Sequence, residues 1–328
     1  MQSITPRRLL SLNTLLLFGA VAVLLRASGG GDVAIFATSA LAIIPLAELI
    51  ITIFALRAGL VELVRASIIG SVLGNLLLVM GLAIFLGGLR HGIQTFDRRQ
   101  AAMSATLLIL AFMALAIPSL FDHTFVESEE YASELLLSEG IALILIALYA
   151  ANIAYSLLAG DAHDDGHHHE PRWTLRHALG VLAFATLGIV VMSEFLVGTV
   201  EPVVEELGWS ELFVGVIIVP IIGNVAEHLV AVQVAMKNRM ELSMTIALGS
   251  SLQIALFVAP VLVFISLLFE NKLILAFSLP EIIALAAASY VAALVAEDGE
   301  SNWFEGLMLL AVYVIVALAF FLLPEAHG

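Results

Sequence analysis

Cysteine is absent from this 328-residue chain, and charge is scarce: only 12% of its residues are Asp, Glu, Lys or Arg. The first absence excludes disulfides, thiolate metal sites and thiol redox chemistry. The second excludes an ordinary soluble domain, in which about a quarter of the residues are charged. Basic residues are the scarcer sign, 13 Lys and Arg against 28 Asp and Glu, for a net charge of −15. That balance makes a nucleic-acid partner implausible, because such partners are held through Lys and Arg. No His-Glu-x-x-His helix occurs, which argues against an intramembrane metalloenzyme. The chain does not read as an enzyme, and no residue is assigned a catalytic role.

What is present is apolar. Hydrophobic residues make up 61% of the chain, and they fall in runs long enough to cross a bilayer, which takes about 20 residues each. The runs lie at 9–26, 33–56, 62–89, 101–120, 137–159, 175–200, 210–236, 243–270, 273–296 and 304–323. The fold class is therefore an all-α, multi-pass integral membrane protein of ten to eleven transmembrane helices, with the lipid bilayer as a partner. Residues 1–30, with Arg7 and Arg8 ahead of an apolar stretch, read as a retained extra helix rather than a signal peptide. The polar segment 160–173, Gly160-Asp161-Ala162-His163 to Pro171 and beyond, divides 31–159 from 174–328. Its triple histidine, His167 to His169, is read as a solvated linker.

The two divisions echo each other. At a constant offset of 179, Glu48 falls on Glu227, Glu62 on Glu241, Gly70-Ser71 on Gly249-Ser250, Leu73 on Leu252, Leu77 on Leu256 and Val79 on Val258. Five crossings separate the Glu48 helix from the Glu227 helix, so the two run in opposite directions. An inverted-topology repeat of five helices per half follows, with a substrate site near the midplane. The positive-inside rule places Arg90, Arg98, Arg99, Arg172, Arg176 and Lys237-Arg239 on the cytoplasmic side.

A carboxylate at membrane depth is costly and marks function by default. Glu227 lies in Gly223-Asn224-Val225-Ala226-Glu227-His228. There the glycine permits a kink, the asparagine adds a carbonyl oxygen and the glutamate adds charge, a hard-oxygen set suited to Ca²⁺. Glu48 from the opposing helix completes a two-carboxylate cage. Burial also disfavours the charged form of such acids, so the same groups can carry protons. Ser71, Asn75, Ser250, Ser251 and Gln253 are candidates to face the glutamates with oxygen ligands or hydrogen bonds, and His228 is a candidate proton partner. Glu194 reads as an intramembrane pathway acid, with Glu201 and Glu205 at the mouth.

Gly223-Asn224-Val225-Ala226-Glu227-His228 followed by Gly249-Ser250-Ser251-Leu252-Gln253 resembles the second signature repeat of the calcium/proton exchangers, in the cation/calcium exchanger superfamily. The stretch from Glu48 to Gly70-Ser71-Val72-Leu73-Gly74-Asn75 is similar to the first. The resemblance implies eleven helices: two inverted five-helix halves and an extra first helix. It implies a Ca²⁺/H⁺ antiporter of the cytoplasmic membrane working by alternating access, with Glu48 and Glu227 as the shared site and Ca²⁺ as cargo rather than cofactor. Na⁺/Ca²⁺ or other divalent exchange is the alternative, and a cation channel a more distant one; a homo-oligomer is compatible with either. The family pattern also places an acidic stretch and the start of a helix between a Pro-Leu-Ala and its first glutamate. Here the chain passes directly from Ala47 to Glu48, whereas Glu227 lies 33 positions after Glu194. The first half therefore lacks a counterpart of Asn224, and 33–56 reads as two joined helix fragments.

Overall fold

The computed structural model describes residues 46–121, 130–160 and 186–323, apart from Gly188, Met192 and Thr199. Expectations for the N-terminal helix and most of the 160–173 linker lie outside these residues, as does most of the predicted 175–200 span.

Among the described residues, ten helices form the framework. They are α1 (Leu46–Ala58), α2 (Val61–His91), α3 (Arg98–Phe121), α4 (Glu130–Gly160), α5 (Val200–Leu207), α6 (Glu211–Gly223), α7 (Val225–Ala235), α8 (Met240–Ser266), α9 (Leu279–Glu297) and α10 (Trp303–Leu322). Six of them, α2, α3, α4, α8, α9 and α10, are long and apolar enough to cross a membrane. The pair α6 and α7 meets that test jointly, bent by 64°. Helices dominate because hydrocarbon offers no partner for backbone N–H and C=O groups, which must bond within the segment. A shorter apolar helix, Ile189–Gly198, precedes α5.

α2 and α8 are buried on nearly every face and form the centre of the molecule. α3, α4, α9 and α10 surround them and turn apolar side chains outward, among them Met113, Leu143, Ile144, Tyr290, Ile315 and Leu322. The first half of α2 packs on residues Ile254–Val258 of α8, and its last half packs on the start of α8. The two central helices are thus antiparallel. Each is preceded by a short glutamate-bearing helix and a left-handed turn at the same repeat position, Gly59 (φ 85°) before α2 and Asn238 (φ 58°) before α8. Glycine enters that region without strain, and asparagine is among the few other residues that tolerate it. Each central helix also widens into a π-helical turn, Gly74–Val79 in α2 and Ile254–Val258 in α8.

Three departures from the predicted spans have physical causes. The 210–236 run is broken at Asn224 (φ −108°, ψ 11°), four residues after Pro220 and beyond a third π turn at Val214–Ile218. The 243–270 run ends as a helix at Ser266. The 273–296 run becomes helical only at Leu279, behind a Ser278/Glu281 capping box with Pro280 in the first turn. Residues 273–277 are instead extended and buried on alternate positions, Leu273, Leu275 and Phe277. Their N–H groups donate to Ser266 (2.8 Å), Ser138 (3.1 Å) and Ser119 (2.7 Å), from three different helices. Arg65 donates to the Ala276 carbonyl at 2.8 Å. At the opposite end, the two-residue strands β1 (Gln94–Thr95) and β2 (Glu300–Ser301) pair antiparallel, a small exception to the all-α expectation. Gln94 also donates to Ala235 O and Asn238 Oδ1, both at 3.0 Å, so three connecting segments meet there.

Candidate functional site

Three carboxylates are buried among the described residues: Glu48, Glu227 and Glu281. Two of them meet at the crossing of α2 and α8. Glu48 is the third residue of α1 and Glu227 the third of α7, each 6% exposed. They lie close enough for their charges to interact. Two desolvated like charges need a counter-charge between them, whether a metal ion or a proton.

A hydroxyl donor holds Glu227, and a second serine stands beside Glu48. Ser250 Oγ donates to Glu227 Oε2 at 2.6 Å, the short distance expected of a charge-assisted O–H···O bond. Ser71, its counterpart at the offset of 179, stands beside the Glu48 carboxyl. The two serines are fed in turn by amides. Asn75 Nδ2 donates to Ser250 Oγ at 2.9 Å, and Asn224 Nδ2 donates to Ser71 Oγ at 3.1 Å. All six side chains are buried. Glu48 Oε1 and Gln253 Oε1 have no hydrogen-bond partner among the described residues, although both are fully enclosed. Buried polar atoms are rarely left so, and an unpartnered oxygen within the carboxylate pair, with a buried amide oxygen one helical turn after Ser250, suits a hard cation.

The break between α6 and α7 serves this geometry. Asn224 N–H still donates to Pro220 O, and Asn224 O accepts from His228 N, both at 3.0 Å, so the backbone stays bonded while the axis turns. The asparagine side chain is thereby aimed across to Ser71. Close packing brings α6 against α2: a Cβ on Gly70 would lie 2.0 Å from Val216 O, and one on Gly215 would lie 2.4 Å from the Ala66 Cβ. Glycine at both positions is what lets the backbones touch.

The other sequence candidates are distributed unevenly. Ser251 Oγ donates to Ala247 O of its own helix at 3.0 Å and not to a glutamate. His228 is half-buried, and its Nε2 has no partner among the described residues. Glu194 lies on the Ile189–Gly198 helix with an exposed side chain. Glu201 and Glu205 lie on α5, and their side chains fall outside the described residues. No group of three His, Asp or Glu that could hold a metal occurs among the described residues. Any cation here would thus lean on two carboxylates and neutral oxygens. Sequence reasoning missed Thr52, which donates to Glu48 O at 2.8 Å and ties down the first turn of α1. It also missed Glu281, whose signal was the capping-box spacing Ser278-Leu279-Pro280-Glu281.

A family model described as sodium/calcium exchanger protein matches residues 30–158 and 177–322, most of the chain. The chain belongs to the sodium/calcium exchanger family. Among this exchanger's relatives is a protein named Ca(2+)/H(+) antiporter ChaA from Bacillus subtilis (strain 168). The two are 47% identical over 284 residues, which cover 84% of this chain and 80% of that one. A protein named Ca(2+)/H(+) antiporter from Synechocystis sp. is 42% identical over 297 residues, covering 84% of this chain and 80% of the relative. The solved structure of native YfkE superposes with a TM-score of 0.75 at 40% identity, over 94% of this exchanger and 99% of that chain.

Proposed function

We propose that this exchanger moves Ca²⁺ against H⁺ across the cytoplasmic membrane by alternating access, with Glu48 and Glu227 as one site shared by the ion and the proton. The observation that carries the reading is the buried glutamate pair, with Ser250 donating to Glu227 and Ser71 beside Glu48. Ca²⁺ takes the ionised pair together with neutral oxygens such as Gln253 Oε1 and the carbonyl oxygens near the α6–α7 break. Protons neutralise the same pair when the metal leaves. Either cargo satisfies the charge, and neither is needed alongside the other, which is the condition for exchange.

The antiparallel central helices, the matched left-handed turns and the matched π turns support two inverted repeats, 31–159 and 174–328, joined by the linker 160–173 and preceded by an extra helix in 1–30. On that arrangement the chain has eleven helices. The end where residues 92–97, 236–239 and 298–302 meet carries Arg98, Lys237 and Arg239 and faces the cytoplasm by the positive-inside rule. The strap 273–277 then lies at the outer end.

The test uses purified protein in liposomes with a proton gradient, acid inside. Uptake of radioactive Ca²⁺ is expected, collapsed by a protonophore and lost in Glu227→Gln. Normal uptake by Glu227→Gln would refute the site. Uptake driven by a Na⁺ gradient instead would favour sodium coupling.

A further inference from the structure

The repeat offset pairs Ser71 with Ser250 and Glu48 with Glu227, but it does not pair the asparagines. Asn75 falls opposite Ile254, and Asn224 falls opposite Pro45. In space the two asparagines nonetheless do the same thing. Asn75, on the first half's central helix, donates to the second half's Ser250, and Asn224, at the break in the second half, donates to the first half's Ser71. One chain of bonds runs from Asn75 through the Ser250 hydroxyl to Glu227; Asn224 reaches Ser71, which stands beside Glu48. Both asparagines stand at irregular points of the backbone, Asn75 inside the π turn of α2 and Asn224 at the α6–α7 bend.

A serine hydroxyl has one proton to give and lone pairs to receive. An amide N–H on the oxygen leaves the hydroxyl proton to point elsewhere, here at the carboxylate, and hydrogen bonds in series reinforce one another. Without the amide, the hydroxyl of a buried helical serine can turn back to its own helix, bonding the carbonyl four residues earlier. Ser251, next in sequence to Ser250, does this, donating to Ala247 O at 3.0 Å.

We infer that Asn75 is a positioning residue for Glu227. It holds Ser250 as a donor to that carboxylate from the opposite half of the molecule. It acts through Ser250 and is not itself a cation ligand. This rests on the reading of Glu48 and Glu227 as the cation site.

The experiment measures KM and Vmax for proton-driven Ca²⁺ uptake in proteoliposomes of the wild type, Asn75→Leu, Ser250→Ala and the double variant. Leucine fills the asparagine's volume and removes the donor. Asn75→Leu is expected to raise KM about tenfold, as loss of a bond serving a charged group does, with Vmax within about twofold because the glutamates themselves remain. Ser250→Ala should behave alike, and the double variant should be no worse than Ser250→Ala alone, because both changes cut one chain of bonds. A wild-type KM in Asn75→Leu, or losses that multiply in the double variant, overturns the inference. If Asn75→Leu does not elute as a single species, Asn75→Ala carries the same expectations. Failure of both to fold while Ser250→Ala folds assigns Asn75 a structural role and overturns the inference equally. Absence of uptake by the wild type would overturn the transport reading itself, a result distinct from any of these.

Discussion

At the scale of single residues, the site separates neighbours that look equivalent in sequence. Ser250 and Ser251 are adjacent and both buried, yet only Ser250 reaches Glu227. Ser250→Ala is therefore expected to weaken Ca²⁺ uptake about tenfold or more, as loss of a charge-assisted bond does. Ser251→Ala should stay within about twofold, because its hydroxyl only returns to the helix backbone. Paired uptake measurements on the two variants check this, and equal losses would contradict it. Gln253→Leu should leave the fold intact, since the Oε1 it removes has no hydrogen-bond partner among the described residues, and should lower Ca²⁺ affinity in a binding assay. Much of this residue set was legible in the sequence: the two glutamates, Asn224, Ser71, Ser250, Gln253 and Asn75 were all candidates. What each one does was not legible. A repeat offset transfers residues between equivalent positions, and the asparagines reach equivalent partners from inequivalent positions.

At the scale of elements, the close contact of α6 with α2 aims Asn224, and it depends on Gly70 and Gly215. Gly70→Ala would push a methyl into Val216 O and cannot be relieved by a rotamer change, because the obstacle is backbone. Overpacking of this kind costs about 1–3 kcal/mol or more. A fall in the melting temperature of the purified protein, together with loss of uptake, is the expected result; an unchanged melting curve would mean that the contact is looser than described. The strap at 273–277 makes a second prediction. Ser138→Ala leaves the Leu275 N–H buried without its acceptor, which costs about 1–3 kcal/mol and should likewise lower the melting temperature. The strap also shows where apolar composition misleads. Leu273, Leu275 and Phe277 sit in a run that reads as the start of a helix, but the run is short and buried, and periodicity cannot tell such a segment from an extended one. The serines that accept its N–H groups lie on α3, α4 and α8, up to 158 residues away in the chain, beyond the reach of local sequence reading.

At the scale of the whole molecule, the two halves are bound to each other through the site itself. The antiparallel α2 and α8 cross at Asn75 and Ser250, so a rearrangement that exposes the glutamates to one side or the other must act on that crossing. The 179-residue offset matches the left-handed turns at Gly59 and Asn238, and both central helices carry a π turn. The direct join of Ala47 to Glu48 lies within α1, and Glu48 is buried. On the proposed reading Ca²⁺ requires both carboxylates ionised, so protons compete with it, and a metal that needs deprotonated ligands binds more weakly as pH falls. The most direct measurement is the apparent Kd of radioactive Ca²⁺ for the purified protein across a series of pH values, for the wild type and Glu48→Gln. If one site serves both ions, the wild-type Kd rises steadily with proton concentration while the number of sites stays constant, and Glu48→Gln binds more weakly with a shallower pH dependence. A Kd that does not change with pH in the wild type would contradict the shared site.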